Sequence, residues 1–215
     1  MLNEIISAVV SCLCNLLVFG FIPFIYWLIR YRKKENFFKW TGFYKPKFQS
    51  KWWILVIFII IFIFHYKFDG ECFLSEKTIA ALTSGNTAVE GESWRGLGFA
   101  GILPALILSY IGNGICEELL FRGFICKRFV HKTNIPIGIA ISAVLFGLMH
   151  VALPILAGLD VGIDFYIYEF VYTSIAALLL GYANEKMFNG SIWPSVILHG
   201  TVDFASNCMT IFNIN

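Results

Sequence analysis

Three short segments of this 215-residue chain place ionisable side chains inside otherwise apolar stretches. Residues 117–122 read EELLFR, residues 146–150 read FGLMH, and residues 199–203 read HGTVD. A charged side chain at the centre of a bilayer costs about 3 kcal/mol, so such groups indicate function by default. Carboxylates and imidazoles are the groups that most often activate water and transfer protons. The three segments therefore indicate acid–base chemistry inside a membrane.

Helical spacing gives the two adjacent acids of the first segment different roles. Glu118 and Arg122 are four residues apart and share a helix face, so an ion pair between them would offset the cost of burying each. Glu117 projects about 100° away from Glu118 around the same helix. We interpret Glu118 and Arg122 as structural support, and Glu117 as the acid available for chemistry.

The three segments can meet at a common depth. At 1.5 Å per residue, Glu117 and His150 each lie roughly 20 Å from the same side of the membrane. His199 lies roughly 10 Å from that side, and Asp203 lies one turn deeper on the same helix face. Helix tilt absorbs the remaining difference. We therefore predict that Glu117, His150, His199 and Asp203 form one catalytic site.

The composition requires that membrane helices position these residues. Apolar residues make up 58% of the chain and charged residues only 14%, against about 25% charged residues in soluble domains. This balance excludes a soluble enzyme, a nucleic-acid binder and a disordered chain. We predict an all-α fold, a polytopic membrane helical bundle of about six transmembrane helices, with the site between helices 3, 4 and 6. The apolar runs that give this count are 5–29, 52–66, 96–116, 135–159, 164–184 and 192–212.

The distribution of positive charge predicts the orientation of the bundle. Half of the 16 Lys and Arg residues lie between positions 30 and 51, and the positive-inside rule puts this loop in the cytoplasm. Alternation then puts 127–134 inside, 68–95 outside and both termini outside, so that the site opens to the cytoplasm. A short interfacial helix is expected from Ser75 to Leu82.

The same pattern of apolar runs divides the chain into two predicted parts. Residues 1–95 are predicted to form two N-terminal transmembrane helices with the basic cytoplasmic loop and an outer loop, and residues 96–215 to form a catalytic helical core.

Glu169 and His65 lie near the ends of predicted helices without partners at a recognisable spacing. We interpret both as interfacial residues.

The three motifs, in this order, resemble those of the CPBP family of intramembrane proteases, also called the Abi family, which includes the type II CAAX prenyl endopeptidases. That family has E-E-x-x-x-R, then F-x-x-x-H, then H-x-x-x-N or H-x-x-x-D, and the likeness covers about residues 109–206. The resemblance implies that residues 96–215 are a CPBP-like catalytic core in a multi-pass protein of a bacterial cell membrane. It implies further that Glu117 and His150 activate a water while His199 and Asp203 stabilise the oxyanion.

One position departs from the commoner family pattern, because many members have Asn where this chain has Asp203. Asn offers an N–H donor to an oxyanion, whereas Asp donates only when it is protonated, or instead orients His199.

The sequence leaves open whether the site requires a metal. A Glu–His pair can activate water with no cofactor, which we favour, but Glu117, His150, His199 and Asp203 are together also suitable zinc ligands.

The sequence leaves three functions open. The first is an endopeptidase that hydrolyses a membrane-associated peptide or protein, in CAAX-type processing or in bacteriocin self-immunity. The second is a non-catalytic membrane partner in immunity or regulation, and the third is a proton-coupled transporter, which the missing internal repeat disfavours. The expected partners are membrane lipids and a peptide or membrane-anchored substrate, with no nucleic acid.

Overall fold

The computed structural model describes residues 2–48, 56, 73–83 and 91–214. These residues form helices and connecting turns with no β-strand among them, which confirms the predicted all-α membrane bundle. In chain order, the seven helices of this part of the chain are α1 (Leu2–Arg30), α2 (Phe37–Thr41), α3 (Glu76–Thr83), α4 (Gly98–Lys132), α5 (Ile135–Leu156), α6 (Ile163–Met187) and α7 (Trp193–Phe212).

Four of the described helices are long and apolar enough to cross a membrane, namely α1, α4, α5 and α6, with 29, 35, 22 and 25 residues. The chain is therefore a multi-pass integral membrane protein. Apart from Val56, the predicted second helix, 52–66, lies outside the described residues, as does His65. Helix α7 has 20 residues and occupies the predicted sixth position, but it does not reach the hydropathy of the other four. The polar side chains of His199, Asp203 and Asn207 lower its mean hydropathy.

The two acids of α4 lie on a single α-helical turn, Cys116–Glu118, between two wider π-helical stretches. These stretches are Ile107–Ile115 and Leu119–Cys126. Widened turns within α-helices are frequent at functional sites. Helix α4 therefore has an irregular backbone on both sides of the residues predicted to do chemistry.

Helix α4 packs between α1 and α7, and glycines allow both approaches. A methyl group on Gly112 would lie 3.0 Å from the Cys12 sulfur of α1. A methyl group on Gly200 of α7 would lie 2.6 Å from the Tyr110 ring of α4. Small residues at helix crossings let backbones come close in membranes, where packing replaces the hydrophobic effect as the driving force. The close α4–α7 crossing brings the first and third motifs together.

Segments predicted to share a membrane side contact each other. At one end, the Ile192 amide donates to the Gly42 carbonyl at 3.0 Å, and Lys127 pairs with Glu185 at 3.1 Å. At the other end, α3 lies in the predicted outer loop and Lys77 pairs with Asp160 at 2.8 Å. These contacts agree with the predicted alternation of the loops, while the assignment of one end to the cytoplasm stays a prediction.

Candidate active site

The first motif forms the ion pair that its spacing predicts. Arg122 Nη1 lies 3.0 Å from Glu118 Oε1, and both side chains are almost completely buried, with exposures of 2% and 0%. The Arg122 guanidinium also lies over the Phe146 ring, 4.2 Å from its centroid. A desolvated cation above an aromatic face is attracted by the ring quadrupole. The pair therefore connects α4 to the second motif on α5.

Glu118 has a second partner that helix spacing did not predict. Its Oε1 lies 2.9 Å from His199 Nδ1, so one carboxylate oxygen joins Arg122 of its own helix to the histidine of α7. An ionised carboxylate only accepts hydrogen bonds, and Nδ1 of His199 is therefore the donor. Glu118 thus orients the imidazole as well as supporting the helix.

The other ring nitrogen of His199 faces two more acids. Its Nε2 lies 4.0 Å from Glu117 Oε2 and 3.5 Å from Asp203 Oδ2. Both ring nitrogens thus face acceptors, and positive charge on the ring is balanced by the surrounding carboxylates. The structure therefore brings Glu117, Glu118, His199 and Asp203 into one largely buried cluster between α4 and α7.

Asp203 is tied to α4 and, through it, to α1. Asn113 Nδ2 donates to Asp203 Oδ2 at 3.0 Å, and Asn15 Nδ2 donates to Asn113 Oδ1 at 3.2 Å. Asn113 is buried, with 6% exposure. Sequence reasoning missed both asparagines. The available signal was an uncharged polar residue one turn before Glu117 in an apolar run.

His150 lies beside this cluster at the wall of a cavity. Its Nδ1 is 3.0 Å from the Phe146 carbonyl oxygen, which leaves Nε2 for a second partner. The Phe146 ring lies between the two histidines, 4.4 Å from His150 and 5.8 Å from His199, centroid to centroid. The cavity has a volume of about 220 Å³. Its lining residues are Phe146, His150, Glu169, Tyr172, Thr173, Ala176, Leu180, His199, Val202, Asp203 and Ser206.

The cavity adds a helix to the predicted site. The prediction placed the site between the third, fourth and sixth helices, which correspond to α4, α5 and α7, but α6 also forms a wall. Glu169, interpreted from the sequence as interfacial, is one of its lining residues together with Tyr172 and Thr173. Residues 169, 172 and 173 share a helix face by i, i+3 and i+4 spacing. These three polar residues on one helix face were the sequence feature that could have predicted that α6 lines the site.

The sequence also allowed a zinc site formed by Glu117, His150, His199 and Asp203. In the part of the chain that the structure describes, these side chains are not arranged to bind one ion. No three His, Cys, Asp or Glu side chains there are placed to hold one ion. The Nδ1 atoms of His150 and His199 are engaged by the Phe146 carbonyl and by Glu118.

Residues 99–205, about half of the chain, match a family model described as type II CAAX prenyl endopeptidase Rce1-like. The match contains all three motifs and agrees with the resemblance to the CPBP family. It begins after α1, so Asn15 lies outside it. No curated protein and no solved structure matches the chain.

Proposed function

Because the chain belongs to the type II CAAX prenyl endopeptidase Rce1-like family, we propose that it is an intramembrane endopeptidase of membrane-associated peptides or proteins. The observation that carries this proposal is the placement of His199. It is held between Glu118, Glu117 and Asp203 at 2.9 to 4.0 Å, next to a cavity that also contains His150. Peptide hydrolysis requires a base for water and a donor for the oxyanion, and this cluster has candidates for both.

In the proposed reaction, Glu117 accepts one proton of a water molecule whose oxygen adds to the scissile carbonyl carbon. His150 accepts a hydrogen bond from the same water at Nε2, because its Nδ1 is engaged by the Phe146 carbonyl. The carbonyl π electrons move onto oxygen, and the resulting oxyanion accepts a hydrogen bond from His199 Nε2. When the C–N bond breaks, the departing nitrogen takes the proton that Glu117 received.

The support for His199 as the oxyanion donor is electrostatic. Glu118 and Arg122 hold its ring from one side, so that Nε2 is fixed in direction before substrate arrives. Preorganised donors in a water-poor site stabilise developing negative charge without reorganisation at the moment of reaction. Glu118 and Arg122 are therefore positioning residues in this proposal.

The substrate class follows from the family, whose description names CAAX prenyl endopeptidases. We propose a membrane-anchored peptide tail that enters from the side of loops 30–51 and 127–134, taken as cytoplasmic from their positive charge. The cavity wall presents Leu180, Ala176 and Val202 to this segment. An apolar lining of this kind suits a side chain or lipid-bearing residue next to the scissile bond.

The test is cleavage by purified protein in liposomes of a fluorogenic peptide with a prenylated C-terminal CAAX sequence. We expect Glu117→Gln to lower kcat by on the order of 100-fold or more, because Gln cannot accept the water proton. Glu76→Gln changes an exposed acid of α3 in the same way and should cleave like the wild type. Full activity of the Glu117→Gln variant would exclude the proposed role of Glu117.

A comparison of membrane proteomes extends the test beyond one peptide. Membranes containing wild-type protein should show fragments that are missing with Glu117→Gln and present with Glu76→Gln. If no such fragment appears and no CAAX peptide is cleaved, the endopeptidase proposal fails.

A further inference from the structure

We propose that Asn113, held by Asn15, positions Asp203 as a hydrogen-bond acceptor facing His199, which makes α1 a working part of the site. The inference rests on the proposed endopeptidase function and deepens it. It assigns a positioning role to two residues that lie outside the three motifs. It also gives Asp203 one of its two possible roles, that of orienting His199.

The direction of the hydrogen-bond chain follows from its first acceptor. Asn15 Nδ2 lies 3.3 Å from the backbone carbonyl of Gly112, which can only accept, so Asn15 must present its NH2 group there. The same nitrogen lies 3.2 Å from the Asn113 side chain, which must therefore present its oxygen to Asn15. This orientation of the amide is fixed by bonding partners and does not depend on a choice between oxygen and nitrogen.

The orientation of the Asn113 amide determines the hydrogen bonding of Asp203. With its oxygen turned toward Asn15, Asn113 has its NH2 group 3.0 Å from Asp203 Oδ2. That oxygen is also the atom 3.5 Å from His199 Nε2. Oδ2 thus accepts from the amide and faces the histidine as an acceptor. A donor role toward an oxyanion at this atom is incompatible with both contacts.

The close packing of α1 on α4 makes the chain of bonds possible. Gly112 has no side chain, and a methyl group there would lie 3.0 Å from Cys12 Sγ and 3.7 Å from Asn15 Nδ2. Asn15 is the last residue before a widened turn of α1, Leu16–Gly20. The polar contact between α1 and α4 therefore occurs at a close approach of the two helices, one turn of α4 before Glu117.

The first experiment exchanges the two partners. Asn113→Asp alone sets two carboxylates against each other and should lower kcat about 10- to 100-fold with little change in KM. Adding Asp203→Asn removes the repulsion, because the new amide donates to the carboxylate at position 113, but it also turns an NH2 group instead of an acceptor toward His199 Nε2. Asp203→Asn alone keeps an oxygen facing both Asn113 and His199, so we expect the double variant to match its melting temperature while kcat stays about tenfold or more below that of Asp203→Asn.

The kcat, KM and melting temperature of each variant separate positioning from general structure. A positioning role predicts that the double variant has a lower kcat than Asp203→Asn at the same melting temperature. If Asn113→Asp keeps the wild-type kcat, or if the double variant is as active as Asp203→Asn alone, the inference is overturned. The liposome cleavage assay with the prenylated CAAX peptide supplies the kinetic constants, and thermal unfolding in detergent supplies the melting temperatures.

The second experiment tests α1 and does not depend on any change within the motifs. Asn15→Leu removes the donor that fixes the Asn113 amide and should lower kcat roughly 5- to 20-fold. Cys14→Ala, at the exposed neighbouring position, should leave kcat unchanged. A wild-type kcat for Asn15→Leu would remove α1 from the site. This variant also serves if Asn113→Asp does not accumulate in membranes.

The two proposals fail in different ways. If the wild type cleaves neither the CAAX peptide nor any membrane protein, both the endopeptidase function and the positioning role are overturned. If Glu117→Gln is inactive while Asn15→Leu and Asn113→Asp match the wild type, only the positioning role is overturned.

Discussion

Replacing Arg122 by Met tests the energetic role assigned to the buried ion pair. The substitution leaves the Glu118 carboxylate, which has no exposed surface, with His199 as its remaining cationic partner. Removing one member of a buried pair typically costs about 3–5 kcal/mol, because the other charge stays desolvated. Met keeps most of the side-chain volume and a favourable sulfur contact with the Phe146 ring, so the loss reports mainly the charge. We expect a loss of about 3 kcal/mol in the free energy of unfolding.

Neutralising the stranded acid should reverse most of this loss. In the double variant Arg122→Met, Glu118→Gln, neither position 118 nor position 122 carries a charge, and the side-chain amide at position 118 still offers an oxygen to His199 Nδ1. We therefore expect the double variant to be at least about 2 kcal/mol more stable than Arg122→Met. Breaking the pair costs more than removing it, and that asymmetry is the signature of burial.

Thermal unfolding of the purified protein in detergent measures both effects. At about 2–4 °C per kcal/mol, Arg122→Met should melt roughly 10 °C below the wild type. Arg32→Met, which removes an exposed Arg of the basic loop, should stay within about 0.5 kcal/mol of the wild type. A melting temperature of Arg122→Met within about 2 °C of the wild type would refute the reasoning, as would a double variant less stable than the single one.

Three further outcomes test the helix crossing, the cavity and the orientation. Gly200→Ala places a methyl group 2.6 Å from the Tyr110 ring and should destabilise the protein by about 1–3 kcal/mol, measured by the same melting experiment. Ala176→Phe fills part of the 220 Å³ cavity and should raise KM for the CAAX peptide on the order of tenfold, with the melting temperature preserved. Single cysteines in place of Lys132 and Lys77 should react with a membrane-impermeant maleimide from opposite faces, the first only after the cytoplasmic side is opened.

Local spacing predicted what lies within one helix and could not predict what lies between helices. The Glu118–Arg122 pair follows from an i, i+4 rule that needs no tertiary structure. The Glu118–His199 contact joins residues 81 positions apart and exists because Gly200 lets α7 approach α4. Nothing in the pattern of one helix specifies that crossing.

The same limit explains Glu169 and the asparagine chain. Glu169 belongs to α6, and its place in the cavity depends on how α6 packs against α5 and α7. The Asn113–Asp203 bond spans 90 positions, and Asn113 carries no charge to mark it in an apolar run. Apolar runs predicted most described helices, whereas α7 was harder because its site residues reduce its hydropathy.

The sharing of one Glu118 oxygen between Arg122 and His199 has a consequence for how the protein is made. Arg122 follows Glu118 by four residues, but His199 follows it by 81, which at about 5–20 residues per second means a delay of roughly 4–16 s during translation. Helix α4 therefore reaches the insertion machinery before α7 has been synthesised. Because Arg122 pairs with Glu118 within the same helix, α4 enters the bilayer with the Glu118 charge already balanced. His199 then contacts a carboxylate that is already buried in the membrane.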